Sequence, residues 1–169
     1  MSLTMHSASV PLFAQMLKAL AGVLQKAEAH AAAKKIEPGV LLEYRLAADM
    51  FPLRRQVQIA ADFAKGPAAR LAGVDVPGWA DDETTFADLQ ARIAKTLEFI
   101  GGLDAAKFDG SESREIVLRP GTDKEQRYDG RAYLVNYAIP QFLFHVTAAY
   151  AILRHAGVDV GKKDFMGAR

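Results

Sequence analysis

The sequence predicts an all-α fold, a bundle of four long helices with a small β-hairpin between the third and the fourth. Four stretches repeat apolar residues at the helical spacing of three and four. Proline, glycine and capping residues separate these stretches. One short segment alternates polar and apolar residues instead, as strands do. At 169 residues, we expect one domain that spans residues 1–169.

The first predicted helix covers residues 9–30. Ser7 or Ser9 can cap its start, and Pro11 suits the first turn, where the missing amide hydrogen costs nothing. A shorter helical piece is predicted over residues 37–44. The apolar face of the first helix keeps the helical period at Leu12, Phe13, Met16, Leu17, Leu20, Leu24 and Ala27.

The second long helix is predicted over residues 52–72, with a kink at Pro67 because proline removes one backbone hydrogen bond. On a helical wheel Gln56 lies at the edge of the apolar stripe, whereas Gln58 points away from it. The segment 74–82 contains proline, glycine and the chain's single tryptophan, and is predicted to be a loop.

The third long helix is predicted over residues 84–100, with Thr84 or Thr85 as its cap and a Gly-Gly pair at its end. The alternating segment that follows predicts a β-hairpin, with all β-structure confined to residues 113–129.

The fourth long helix is predicted over residues 131–156. No charged residue occurs between Ala132 and Leu153, yet Gln141 and His145 lie one helical turn apart within the apolar stripe. Buried amide and imidazole groups are costly unless they are paired. We therefore expect Gln56, Gln141 and His145 to converge inside the bundle, either as a polar network or as a binding site.

Composition excludes several classes of function. Lys+Arg 21 against Asp+Glu 20 gives a net charge of +1, and no basic cluster indicates a nucleic-acid partner. The absence of cysteine excludes disulfides and thiolate metal sites and fits a cytoplasmic protein. The uncharged stretch of the fourth helix is long enough to cross a bilayer, but its five polar or proline residues favour a covered bundle helix and no membrane association.

We expect structural roles for several other polar and aromatic residues. Tyr128, Tyr133 and Tyr137 are interpreted as packing residues whose hydroxyls reach water. Trp79 is expected to anchor its loop on the bundle. The segment with Lys162 and Lys163 is interpreted as a solvated tail.

Three parts of the chain are familiar: Ala8–Phe13, Asp49–Leu53 with Arg55–Ala60, and Phe144-His145 with Tyr150–Val158. They resemble the DUF1993 family, which is identified as a member of the DinB/YfiT-like superfamily of metalloenzymes. The resemblance covers nearly the whole chain. It implies a four-helix bundle, commonly a homodimer.

Typical DinB-like members hold a metal with one histidine on the second helix and a His-x-x-x-His pair on the last. In the register that the resemblance implies, His145 takes the second position of that pair and Gln141 takes the first. The position on the second helix falls on Gln56 or Gln58. Asp49 is a further candidate ligand at the start of that helix. One imidazole and two amides make a poor transition-metal site, so no cofactor is expected.

Two classes of function stay open. The first is a non-catalytic or small-molecule-binding protein that uses Gln56, Gln141, His145 and Asp49. The second, implied by the resemblance, is a metal-dependent enzyme of the thiol-transferase kind with zinc or nickel on His145. We also expect a homodimer through the fourth helix, because Leu143, Val146 and Tyr150 extend its apolar surface beyond what a monomer buries.

Overall fold

The computed structural model describes residues 3–167 and consists of four long helices, short helical turns and one hairpin. The last long helix is continuous from residue 130 to residue 155 and changes type along its length. In chain order the elements are α1 (Met5–Lys34), α2 (Pro38–Leu42), α3 (Leu53–Ala72), α4 (Phe86–Gly101), 3₁₀ turns at Ala105–Phe108 and Ser111–Ser113, β1 (Glu115–Leu118), β2 (Gln126–Asp129), α5 (Gly130–Ala132), a π-helical stretch (Tyr133–Ala138), α6 (Ile139–His155) and α7 (Lys162–Met166).

Helix α1 begins earlier than predicted, because its cap is Thr4 rather than Ser7 or Ser9. The Thr4 hydroxyl accepts a hydrogen bond from the Ser7 amide at 3.1 Å, and the Ser7 hydroxyl accepts one from the Thr4 amide at 2.9 Å. This reciprocal pair is a capping box and satisfies two otherwise free amides. Ser9 is buried instead, and its hydroxyl donates to the Met5 carbonyl. Pro11 consequently lies inside the helix.

Helices α3 and α4 agree with the predicted boundaries. Gly73 ends α3 with a φ of 66°, a left-handed conformation that glycine adopts without a steric penalty. Pro67 lies inside α3 as predicted. Thr85 caps α4 and forms a capping box with Asp88. Strands β1 and β2 pair antiparallel, with Ile116 opposite Tyr128, inside the predicted 113–129 range. The predicted mainly α fold with a small hairpin is confirmed.

The last long helix contains a π-helical stretch that the sequence did not predict. The six residues of Tyr133–Ala138 lie just before Pro140. Proline has no amide hydrogen, and in a regular helix its ring would collide with the carbonyl four residues earlier, that of Asn136. A wider π turn before Pro140 accommodates this ring without breaking the helix.

The four long helices enclose one apolar core. Helix α3 packs against α4 and α6, α1 packs against the same two helices, and α7 packs on α1. Two predictions are therefore wrong. The segment after residue 161 is helical rather than a solvated tail, and its Phe165 packs on Tyr150. Val146, expected on an exposed strip, is buried in the core.

One helix in the described part of the chain, α1, is long and apolar enough to span a membrane by length and composition. Half of its most apolar stretch is buried inside the protein. Neighbouring helices α4 and α6 cover this part of α1, as they cover the apolar face of a core helix.

Candidate functional site

Gln56 and His145 meet between helices α3 and α6. The Gln56 side-chain oxygen lies 2.7 Å from His145 Nδ1, although the two residues are 89 positions apart in the chain. Gln56 is 1% exposed and His145 is 7% exposed. The structure thus brings together two of the three side chains that were expected to converge.

A hydrogen bond from Gln56 to a backbone carbonyl determines which ring nitrogen of His145 carries the proton. The Gln56 side-chain nitrogen donates to the Phe51 carbonyl at 3.0 Å. Because a carbonyl only accepts, the nitrogen must face Phe51 and the oxygen must face His145. His145 Nδ1 therefore carries the proton and donates it to Gln56. In the neutral imidazole this leaves Nε2 as a hydrogen-bond acceptor, and no partner for it occurs among residues 3–167.

The environment of His145 keeps its imidazole neutral. Burial, together with the nearby positive charge of Arg55, lowers the pKa of His145 from 6.5 to about 4. The ring of Phe63 stacks on the imidazole with centroids 5.9 Å apart, and Phe144 meets it edge-on at 5.2 Å. At neutral pH this site presents an uncharged acceptor nitrogen between two aromatic rings.

Gln141 does not join the pair. It is half-buried and lines a neighbouring cavity of about 260 Å³ together with Asn136, Tyr137, Pro140 and Phe144. No hydrogen bond links it to Gln56 or His145 within the described residues. Positions four apart on an α-helix differ by about 40° around the axis, so Gln141 lies at the edge of the face that carries His145. Asp49 is exposed in the turn before α3.

Gln58 was expected to point away from the apolar stripe, but it is fully buried. Its side-chain nitrogen donates to Glu83 at 2.8 Å, and its oxygen accepts from Arg55 at 3.2 Å. The loop before α4 folds over this face of α3 and covers it. A wheel drawn for α3 alone contains no signal of that loop.

A charged network holds the same loop in place. Arg92 of α4 lies at its centre and is almost fully buried. Its guanidinium pairs with Glu83 at 2.8 Å, Asp81 at 2.9 Å and Asp62 at 3.0 Å, and also donates to the Ala80 carbonyl. The network ties the loop to α3 and α4, so that Gln58, Arg55 and the His145 surroundings keep fixed positions.

The residues around His145 do not fit the metal site that the superfamily resemblance implies. Within residues 3–167 no three His, Cys, Asp or Glu side chains lie close enough to hold one ion. The Gln56 oxygen is already engaged by the Nδ1 proton of His145. Only Nε2 is left as a ligand, and one ligand does not hold a divalent transition metal tightly.

Sequence reasoning missed Phe63, the ring stacked on His145. Phe63 lies seven positions after Gln56, and this spacing places both on the same helix face. That signal was available from the sequence. The contribution of Arg55 to the pKa of His145 was not, because it depends on how two distant helices pack.

A family model places the chain among known sequences. The DUF1993 domain, described as a domain of unknown function, matches residues 5–166. The chain belongs to the DUF1993 family. This DUF1993 protein is also similar to the crystal structure of a DinB family member protein from Shewanella denitrificans, with 44% sequence identity and a TM-score of 0.91. The similarity covers 97% of this chain and 92% of that one. No curated protein matches the chain.

Proposed function

We propose that this DUF1993 protein binds a small molecule at the Gln56–His145 pair and holds no tightly bound metal there. The observation that carries the proposal is the hydrogen-bond chain from His145 Nδ1 to Gln56 and from Gln56 to the Phe51 carbonyl. These two hydrogen bonds fix the imidazole in one orientation and leave its unprotonated Nε2 free to accept a hydrogen bond from a ligand. A pKa of about 4 keeps that nitrogen an acceptor at neutral pH.

The surroundings of the pair suit a ligand with a hydroxyl or amide donor beside a flat apolar part. Phe63 and Phe144 supply the aromatic surfaces, and the cavity that Gln141 lines opens next to Phe144. Binding sites of this kind combine mostly apolar walls with a few fixed polar groups. We further propose a cytoplasmic protein, consistent with a chain that contains no cysteine.

Phenol provides the first test of the site, with toluene as the matched ring that lacks the donor. Each is titrated into ¹⁵N-labelled protein while the ring nitrogens of His145 are followed by NMR. Phenol is expected to shift the Nε2 resonance saturably, whereas toluene leaves it in place. A His145→Phe variant is expected to bind phenol about tenfold more weakly, since it loses one hydrogen bond. Equal responses to phenol and toluene would contradict the proposal.

The alternative function is a metal-dependent enzyme of the thiol-transferase kind that uses His145. Metal content of the purified protein separates the two functions, together with calorimetric titration of Zn²⁺ and Ni²⁺ into wild type and His145→Ala. We expect no stoichiometric metal and no difference between the two proteins. Near-stoichiometric zinc or nickel that disappears in His145→Ala would instead support the enzyme.

A further inference from the structure

A second cavity, distinct from the one beside Gln141, lies between α3, the loop 74–82, the hairpin and the π-helical stretch. Its volume is about 370 Å³, within the range of small-molecule sites. Phe63, Trp79 and Tyr137 form aromatic walls, and Arg70 and Arg119 approach it from α3 and from the hairpin turn. We call it the arginine cavity.

The charge of the arginine cavity is unbalanced. Lys65 and Asp62 both line it and form an ion pair of 2.9 Å, and Arg92 shares the same Asp62 carboxylate. Among residues 3–167, neither Arg70 nor Arg119 has a carboxylate within 4 Å. Arg70 donates to the Tyr133 hydroxyl at 3.3 Å, which occupies only part of its guanidinium. Two guanidinium groups thus line the cavity without a counter-charge, which favours an anionic ligand.

The position of Arg119 supports a role in binding. Its φ is 51°, a left-handed conformation that costs energy for a residue with a side chain. The Arg119 carbonyl accepts hydrogen bonds from the Thr122 amide and hydroxyl, and these bonds hold the turn. The turn holds the Arg119 backbone in place, and Arg119 lines the same cavity as Arg70 of α3.

Contacts with neighbouring side chains hold the ring of Trp79 in position. Lys65 and Lys95 lie over the Trp79 ring at 4.2 and 4.6 Å, and Phe99 meets it edge-on. The Arg92 network anchors the loop immediately after Trp79 through the Ala80 carbonyl. A flat ring placed in the cavity beside Trp79 gains apolar burial and contacts with the rings of Phe63 and Tyr137.

We propose that the arginine cavity binds a small aromatic carboxylate, with the carboxylate between Arg70 and Arg119 and the ring against Trp79. Guanidinium groups match the two oxygens of a carboxylate in a planar, paired geometry. The proposal does not depend on the Gln56–His145 site, although Phe63 contacts both.

Trp79 is the chain's single tryptophan, so its fluorescence reports on this cavity alone. Benzoate is titrated into the full-length protein, with benzyl alcohol as the neutral ring and acetate as the charge without a ring. Benzoate is expected to change Trp79 emission saturably and to bind at least tenfold more tightly than either control. Benzyl alcohol or acetate binding as tightly as benzoate would overturn the proposal.

Substitutions then locate the anion. Arg70→Met and Arg119→Met are each expected to weaken benzoate binding about tenfold, as loss of a charge-assisted hydrogen bond predicts. Arg154→Met removes an exposed arginine elsewhere and is expected to change nothing. Arg119 is exposed, so its variant remains informative if Arg70→Met does not fold. Unchanged affinity in Arg119→Met would overturn the proposal. His145→Phe is expected to keep benzoate binding, which separates this site from the proposed function.

Discussion

At the scale of single residues, the side-chain amide of Gln56 orients His145. A backbone carbonyl fixes which end of the amide faces the ring, and the ring is therefore fixed in one tautomer. Burial destabilises the protonated imidazole more than the neutral one, because only the protonated form is charged. His145 thus contributes a neutral acceptor at physiological pH, together with a pH dependence of folding.

This pH dependence has a defined sign. Because the folded pKa of His145 is about 4 and the ordinary value is 6.5, the unfolded chain binds the proton more readily. Stability is therefore expected to fall by about 1–3 kcal/mol as pH decreases from 6.5 to 4, and to be independent of this group above pH 6.5. Urea unfolding at several pH values between 7 and 4 measures the change.

His145→Phe provides the control for this prediction, since it keeps an aromatic ring in place and removes the titrating group. The other three histidines are present in both proteins, so the difference in slope belongs to His145. Parallel stability curves for the two proteins between pH 6.5 and 4 would refute the prediction.

At the scale of elements, the loop before α4 covers one face of α3, and the ion pairs of Arg92 hold this loop in place. Burial alone would raise the pKa of Asp81 and Glu83. Arg55 and Arg92 hold the pKa of Asp81 below its ordinary value, and hydrogen bonds from Arg92 and Gln58 do the same for Glu83. Their stabilising contribution is present at neutral pH and is lost only as pH falls below about 4.5. The pH range in which the carboxylates lose their contribution therefore lies largely below the range in which His145 lowers stability.

Arg92→Met is expected to destabilise the protein by about 3–5 kcal/mol, because it leaves three carboxylates without their shared counter-charge. Arg127→Met is the matched control. Arg127 pairs with two carboxylates, but its side chain is well exposed, and its loss is expected to destabilise the protein far less than the loss of Arg92. Urea unfolding at pH 7 measures both. Equal losses for the two variants would show that the Arg92 network does not fasten the loop.

At the scale of the whole molecule, the surface of the last long helix is less apolar than the sequence indicated. Val146 is in the core and Phe165 of α7 covers Tyr150. Val135 and Phe144 remain well exposed on the same long helix. Phe144 also contacts His145, so this surface adjoins the candidate site. We still propose a homodimer through this helix, with Phe144 replacing Val146 as its expected contact.

Phe144→Glu is expected to convert the dimer to a monomer, because it places a charge in an apolar interface. Val40→Glu is the control, since Val40 on α2 has the same 56% exposure as Phe144. Light scattering at micromolar concentration measures the mass of each protein. A monomeric wild type, or a Phe144→Glu variant that stays dimeric, would rule out this interface.

Most of the fold was determined by local sequence. The threonine cap of α4, the glycine pair at its end and the alternation of β1 each depend on a few neighbouring residues, and all were predicted. The pairing of Gln56 with His145 was also predicted, because a polar group on each apolar face needs a partner. These features share one physical cause: backbone hydrogen bonding and helical periodicity act over short distances along the chain.

The tertiary structure alone decided what covers each face. Gln58 is buried by a loop 25 positions away, and Tyr150 is covered by a helix that the sequence pattern did not predict. Arg70 and Arg119 are brought to one cavity only when the hairpin packs on the bundle. Periodicity tells which residues share a face of one element, but it contains no information about the orientation of another element. For that reason the sequence determined this protein's helices and polar pair, and only packing created its cavities.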